Sequence, residues 1–183
     1  EFLPISSSAH LNIVEIIFQF ESNSLMIDVS LHFGSLIAII FYFRKELLDL
    51  KNNKNLLLLI IIGSLPLIIA GYFLYNSGLI YLLKNNLKII AWTTLIFGII
   101  LYFADRSKFD KKISSNLNLK AILYIGFFQI LALIPGVSRA GITITAARIL
   151  NFGRVDSSKI SFLLSIPALT GASILSLKNI FQQ

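Results

Sequence analysis

Long apolar runs broken by short polar segments set the plan of this chain. Runs at 26–43, 56–75, 87–104 and 160–177 carry few charged side chains. A helix needs about 20 residues to cross a hydrocarbon core of roughly 30 Å, so each run is predicted to be a transmembrane helix. Segment 44–55 holds Arg44, Lys45, Lys51 and Lys54, and segment 105–120 holds Arg106, Lys108, Lys111, Lys112 and Lys120. Segment 76–86 holds only Lys84. Basic loops stay on the cytoplasmic side, which puts 44–55 and 105–120 inside and 76–86 outside.

Segment 121–152 does not fit a simple crossing. An apolar stretch at 121–134 is followed by Pro135-Gly136-Val137-Ser138-Arg139 and a second stretch at 142–152. A full crossing by 121–134 would need a second crossing of about 11 residues to bring Arg148, Arg154 and Lys159 back inside, which is too short. Two half-length helices that enter, turn at Pro135-Gly136 and return solve this. The prediction is a re-entrant helical hairpin, whose irregular backbone is tolerable at depth only when buried in protein or lining a wet cavity. A shift of 131 residues lays Pro4, Ser7 and Ala9 on Pro135, Ser138 and Ala140, which suggests an inverted-topology repeat of the kind that meets at the membrane midplane. Residues 1–20 then form the second half of a matching hairpin.

Composition agrees. The chain of 183 residues is 56% hydrophobic and only 14% charged, with mean hydropathy +0.80. A soluble domain would have about a quarter of its residues charged. The expectation is an all-α integral membrane protein, a polytopic helical bundle with re-entrant helical hairpins, forming one membrane domain over 1–183. The net charge of +7 lies in the short loops that orient the helices, so nucleic acid is not expected as a partner. No cysteine is present, so disulfides and thiolate metal sites are excluded. The chain opens at Glu1, inside a motif, and is read as a fragment lacking N-terminal residues, with the completeness of the C-terminus left open.

The chemistry concentrates in two polar patches, Glu1-Phe2-Leu3-Pro4-Ile5-Ser6-Ser7-Ser8-Ala9-His10 and Pro135-Gly136-Val137-Ser138-Arg139-Ala140-Gly141. Each precedes a predicted helix, with hydroxyl residues placed as N-caps. Helix starts present free N–H groups and the positive end of the dipole, which bind phosphate. Arg139 is the strongest signal. An arginine among apolar helices is costly without an anionic partner, and its fork can grip two phosphate oxygens; the alternative is an ion pair with Glu1 or Asp28. Glu1 is a candidate ligand for a divalent cation or a proton carrier, or else a solvated residue at the chain end. His10 follows Ser7 by three positions and shares its helical face. It is a candidate base, a candidate nucleophile, or a structural histidine. Ser6, Ser8, Gly136 and Ser138 are candidate phosphate contacts. Glu15, Asp28 and His32 are assigned interfacial or structural roles.

At these residues the chain resembles a known family. Glu1 to Leu11 is similar to the first signature of the undecaprenyl-diphosphatase family, also called UppP or bacitracin-resistance protein BacA, and Phe128-Gln129-Ile130-Leu131-Ala132-Leu133-Ile134-Pro135-Gly136-Val137-Ser138-Arg139-Ala140-Gly141 is similar to its second. Phe162 to Pro167, with Gly171-Ala172, resembles the segment that follows. The resemblance implies a multi-pass hydrolase of the bacterial inner (plasma) membrane. It would cleave undecaprenyl diphosphate to undecaprenyl phosphate and phosphate, recycling the lipid carrier of cell-wall (peptidoglycan) synthesis. It also implies that Glu1 is the second glutamate of a Glu-x3-Glu pattern, that Ser7 and His10 are catalytic, and that Arg139 binds phosphate. The family often has Gly where Ala9 stands and Ser where Ala140 stands, so a phosphate contact at 140 is in doubt. Without the upstream glutamate the fragment alone is expected to be inactive.

The expectation is therefore a lipid pyrophosphate phosphatase with catalytic residues Glu1, Ser7, His10 and Arg139. Phosphate contacts come from Ser6, Ser8, Gly136, Ser138 and Arg139, and a divalent cation (Mg or Ca) is held through Glu1. Its substrate partner is undecaprenyl diphosphate in the membrane, and a homo-oligomer is left open. The rival is a transporter or flippase for an anionic polyprenyl lipid, since half-helix sites in inverted repeats are typical of transporters.

Overall fold

The polar side chains that interrupt the apolar runs decide where helices start. In the computed structural model, which describes residues 2–7, 9–11, 17, 24–77, 86–106, 108 and 110–182, helix dominates. The elements are α1 Ser24–Tyr42, α2 Arg44–Asn52, α3 Lys54–Asn76, α4 Leu87–Asp105, α5 Ile113–Asn116, α6 Leu119–Gln129, a 3-10 turn Ile130–Leu133, α7 Arg139–Ile149 and α8 Arg154–Gln182. Asn86 caps α4 by accepting from the N–H groups of Lys88 and Ile89, Asn118 caps α6 through Ala121, and Ser138 caps α7 through Gly141. These short side chains satisfy donors that a helix start leaves open.

Two expectations are corrected. The predicted loop 44–55 contains the helix α2, because Arg, Lys, Glu and Leu are good helix formers and Leu47 packs on the core while Arg44, Lys45 and Asp49 are exposed. The predicted helix 160–177 runs from 154 to 182; a hydropathy reading sees only its apolar middle, whereas Asp156 in its first turn suits the helix dipole. Pro66 and Pro167 lie inside helices, as apolar helices with packed neighbours allow.

The core gathers where α3, α6, α7 and α8 converge, with α1 packed on α8 and α4 on α7. Ile122, Ile125, Ala146 and Ala147 are fully buried, beside Leu163, Leu164 and Phe152. The outward faces are equally apolar. Trp92 is 65% exposed and Phe103 62% on α4, and Phe41, Leu58 and Phe73 are exposed on α1 and α3. Such a surface is a liability in water and ordinary in lipid. Lys54–Leu74 and Leu87–Asp105 are the two helices, among the described residues, long and apolar enough to cross a membrane.

Where the outside is as oily as the inside, helices gain by close approach at small residues. The α3–α6 contact uses Gly63 and Gly126: a Cβ on Gly126 would run into the Gly63 carbonyl, and one on Gly63 would meet Ile122 Cγ1 at 2.6 Å. Gly126→Ala is expected to lower stability by about 1–3 kcal/mol through overpacking. Gly98→Ala, with nothing within 4 Å, should be neutral or slightly stabilising. Thermal unfolding of both variants in detergent checks this.

The charged ends collect on one side. Arg148, 3% exposed, contacts the Asp105 carboxylate at 3.2 Å and donates to the carbonyls of Phe152 (2.6 Å) and Asp105 (3.1 Å). Arg154 grips the same carboxylate with two bonds, 2.9 and 2.6 Å. Lys159 lies 3.6 Å from Glu46 of α2. The ends of α4 and α7, the start of α8, and α2 therefore share one end of the bundle. From there α6 and α7 run inward and turn beside Thr93 and Thr94 of α4. Thr93 and Thr94 stand 12 and 11 residues before Asp105, which is about 17 Å along a helix, so the hairpin turns short of the far end of α4.

Candidate functional site

Pro135 and Gly136 end the first arm of the hairpin by simple local chemistry. Proline follows the 3-10 turn, and Gly136 adopts φ +91°, a left-handed backbone that glycine reaches without steric cost. The turn is pinned from outside: Thr93 Oγ1 donates to the Pro135 carbonyl at 2.7 Å, and Thr94 Oγ1 to the Gly136 carbonyl at 2.9 Å. Both carbonyls of the turn are thereby held against α4. Ser138 Oγ accepts from Gly141 N at 3.1 Å and donates to the Leu3 carbonyl at 3.4 Å. The second motif thus touches the first.

The first motif builds a matching helix start. Ser6, 2% exposed, accepts from Ala9 N at 3.3 Å, and residues 7 and 9–11 are helical. The Leu3–Pro4 segment lies against α7, where a Cβ on Gly141 would sit 3.3 Å from the Pro4 carbonyl. The Phe2 ring packs edge-on against Phe162 of α8, centroids 5.6 Å apart.

Between the two helix starts lies a cavity of about 300 Å³ whose polar lining is Ser6, Ser7, His32, Ser138 and Arg139. Leu67, Val137 and Leu169 are among its apolar walls. Arg139 is half-buried, and one guanidinium nitrogen donates to the Ser165 carbonyl at 3.4 Å. Two dipole ends, one guanidinium and three hydroxyls in an apolar setting concentrate positive potential, which suits an anion with several oxygens.

Of the residues singled out from sequence, Ser6, Ser7, Ser138 and Arg139 line this cavity, and Gly136 forms the adjoining turn. His10 does not line it. Its ring is exposed, and Nδ1 lies 2.7 Å from the Ser6 carbonyl. A carbonyl only accepts, so Nδ1 carries the hydrogen and, in the neutral ring, Nε2 is the basic atom. Glu1 and Ser8 lie outside the described residues. Among the described residues no group of three or more His, Cys, Asp or Glu could hold a metal ion; the cavity lining is hydroxyl, imidazole and guanidinium, without a carboxylate.

Sequence reasoning missed three residues. His32 was assigned an interfacial or structural role, yet it lines the cavity; the signal was its place as an ionisable group within an apolar run. Thr93 and Thr94, which hold the turn, carried none, since a threonine in an apolar helix commonly bonds its own preceding turn. Thr93 Oγ1 also lies 2.8 Å from the Ile89 carbonyl, which competes with the Pro135 carbonyl for its single hydrogen.

Comparison with known proteins agrees with the two motifs. Residues 1–183 match the family described as bacitracin resistance protein BacA. The chain is 78% identical over 183 residues to an undecaprenyl-diphosphatase of Pelagibacter ubique, covering all of this chain and 72% of that protein. It is 43% identical over 182 residues to an undecaprenyl-diphosphatase of Saccharophagus degradans (93% and 68% covered). It is also 38% identical over 184 residues to undecaprenyl-diphosphatase 4 of Bacillus thuringiensis (100% and 70%).

Proposed function

The chain belongs to the bacitracin resistance protein BacA family, and we propose that it is a membrane hydrolase releasing phosphate from undecaprenyl diphosphate. The observation that carries this reading is the meeting of the two motif turns around one cavity that holds Ser6, Ser7, Ser138 and Arg139. A diphosphate headgroup needs several donors fixed before it arrives. Donors preset in an apolar site act more strongly than in water and need no reorganisation as charge shifts in the transition state.

In this reading Arg139 and the N–H groups opening α7 and the first-motif helix hold the diphosphate. An oxygen nucleophile attacks the terminal phosphorus, the bond from that phosphorus to the bridging oxygen breaks, and undecaprenyl phosphate leaves. Either Ser7 on the cavity wall supplies that nucleophile, in which case water then hydrolyses the phosphoserine to release phosphate, or Ser7 orients a water that attacks directly and phosphate is released in one step. His10 stands one helical turn on, with Nε2 as its basic atom. Glu1 completes the catalytic set, as the ligand of a divalent cation (Mg or Ca). The described lining offers no carboxylate for such an ion.

The same reading places α6 and α7 as a re-entrant hairpin entering from the charged end of the bundle. The first motif forms part of an inverted counterpart, in a multi-pass protein of the bacterial inner (plasma) membrane. The support is the gathering of Arg148, Arg154, Lys159 and α2 at one end and a turn about 17 Å deep along α4, against a hydrocarbon core of roughly 30 Å.

The test is phosphate release from undecaprenyl diphosphate by the full-length protein in detergent, with and without EDTA. Release that EDTA abolishes is expected. A folded, metal-supplied protein that releases none sinks the phosphatase reading, and release indifferent to EDTA removes the divalent cation from it.

A further inference from the structure

His32 reaches the cavity from an element that belongs to neither motif. It lies four residues before Leu36 and seven before Ile39 on α1, and both of those are buried. Residues spaced by three or four share a helix face, so His32 is on the side of α1 that packs inward, where α1 meets α8. The cavity it reaches also holds Ser6, Ser7, Ser138 and Arg139, and the rest of the lining is apolar.

Binding sites of this kind are mostly apolar, with a few converging polar groups that orient the ligand. Here those groups are three hydroxyls, one guanidinium and one imidazole. A diphosphate carries more negative charge than one arginine offsets. Among the described lining residues the His32 ring is the other side chain with nitrogen donors. The other histidine of the chain, His10, is turned to the Ser6 carbonyl and does not line the cavity.

We propose that His32 binds the diphosphate directly, donating a ring N–H to a phosphate oxygen across the cavity from the motif residues. The inference rests on the reading that this cavity receives the lipid's headgroup. In it the two histidines divide the work: His32 holds the anion, and His10 belongs to the helix that carries Ser7. α1 thereby becomes a wall of the site, fixed in position by Leu36, Ile39 and Phe43 in the core.

The test uses the full-length protein in detergent and inorganic pyrophosphate as probe. Calorimetry would measure pyrophosphate binding to the wild type, His32→Leu and His32→Gln, and phosphate release from undecaprenyl diphosphate would be followed in parallel. A hydrogen bond to a charged group contributes about 1.5–3 kcal/mol, a change in Kd of roughly 10- to 100-fold. His32→Leu is expected to weaken pyrophosphate binding and lower kcat/KM by that factor. His32→Gln, which keeps an N–H donor, should restore most of both. Equal losses in the two variants, or no loss in either, overturn the proposal.

A measurement on the unmodified protein guards against a leucine variant that fails to fold. Carbethoxylation of His32 by diethyl pyrocarbonate, followed by mass spectrometry, should slow when pyrophosphate is present; an unchanged rate overturns the proposal as well. The two readings fail separately. Pyrophosphate binding that depends on His32, without any phosphate release, removes the phosphatase activity and leaves the anion site. Phosphate release with kinetics and pyrophosphate binding unchanged in His32→Leu removes His32 and leaves the enzyme.

Discussion

Arg139→Ala is expected to reduce phosphate release by roughly 10²- to 10⁴-fold while leaving the protein folded. The first part follows from the number of bonds lost. Two charge-assisted hydrogen bonds from one guanidinium contribute about 3–6 kcal/mol together, and each 1.36 kcal/mol is about tenfold in rate. The second follows from where the residue stands. Arg139 is the first residue of α7, and a cation at a helix N-terminus is opposed by the dipole. Without an anion the arginine does little for the helix start, which Ser138 already caps. Alanine, the best helix former, should leave the thermal unfolding temperature level or slightly higher. Arg139→Lys keeps the charge but loses the planar fork, so an intermediate activity is expected. Phosphate-release kinetics beside a thermal melt of each variant separate the effects, and a fall in stability that matched the fall in rate would remove Arg139 from the binding role.

Gly136→Ala carries the largest expected effect on the fold itself. The residue has φ +91°, which for a residue with a Cβ costs about 1–2 kcal/mol. The added carbon would also run into Thr93 Oγ1 and come within 2.6 Å of the Ile90 carbonyl. Both belong to α4, whose backbone has little freedom to retreat, and overpacking of that sort costs about 1–3 kcal/mol more. The sum is about 2–5 kcal/mol, with activity lost at the same time, because the turn aims the start of α7 at the cavity. Thermal unfolding and phosphate release should fall together, unlike at Arg139. A Gly136→Ala protein as stable and active as the wild type would show that the turn can re-form without the left-handed residue.

Much of the site was legible because it is local. A serine before a helix caps it, a proline and a glycine end the arm before it, and an arginine inside an apolar run needs an anion. None of these inferences depends on the rest of the chain, and the structure has Ser138 as the cap of α7, Gly136 at positive φ and Arg139 facing a cavity. Helix α2 was missed for an equally local reason: the charge of Arg44, Lys45 and Lys51 was read as orientation of a loop, while their helix-forming tendency was not weighed.

Placement across the chain is a different matter. The apolar pattern alone determined that the protein is helical and belongs in a membrane, since period, length and charge spacing are properties of a segment and lipid rewards each segment separately. Only the tertiary structure decided that Thr93 and Thr94 hold the turn at Pro135 and Gly136, that Gly63 and Gly126 let α3 and α6 touch, and that His32 lines the cavity in which Arg139 lies. Each of these joins residues 42 or more positions apart. In a bundle whose helices are apolar on every side, hydrophobicity does not say which face turns inward. Small residues and hydroxyl groups make that choice, through close backbone approach and hydrogen bonds that exist only once the helices have met.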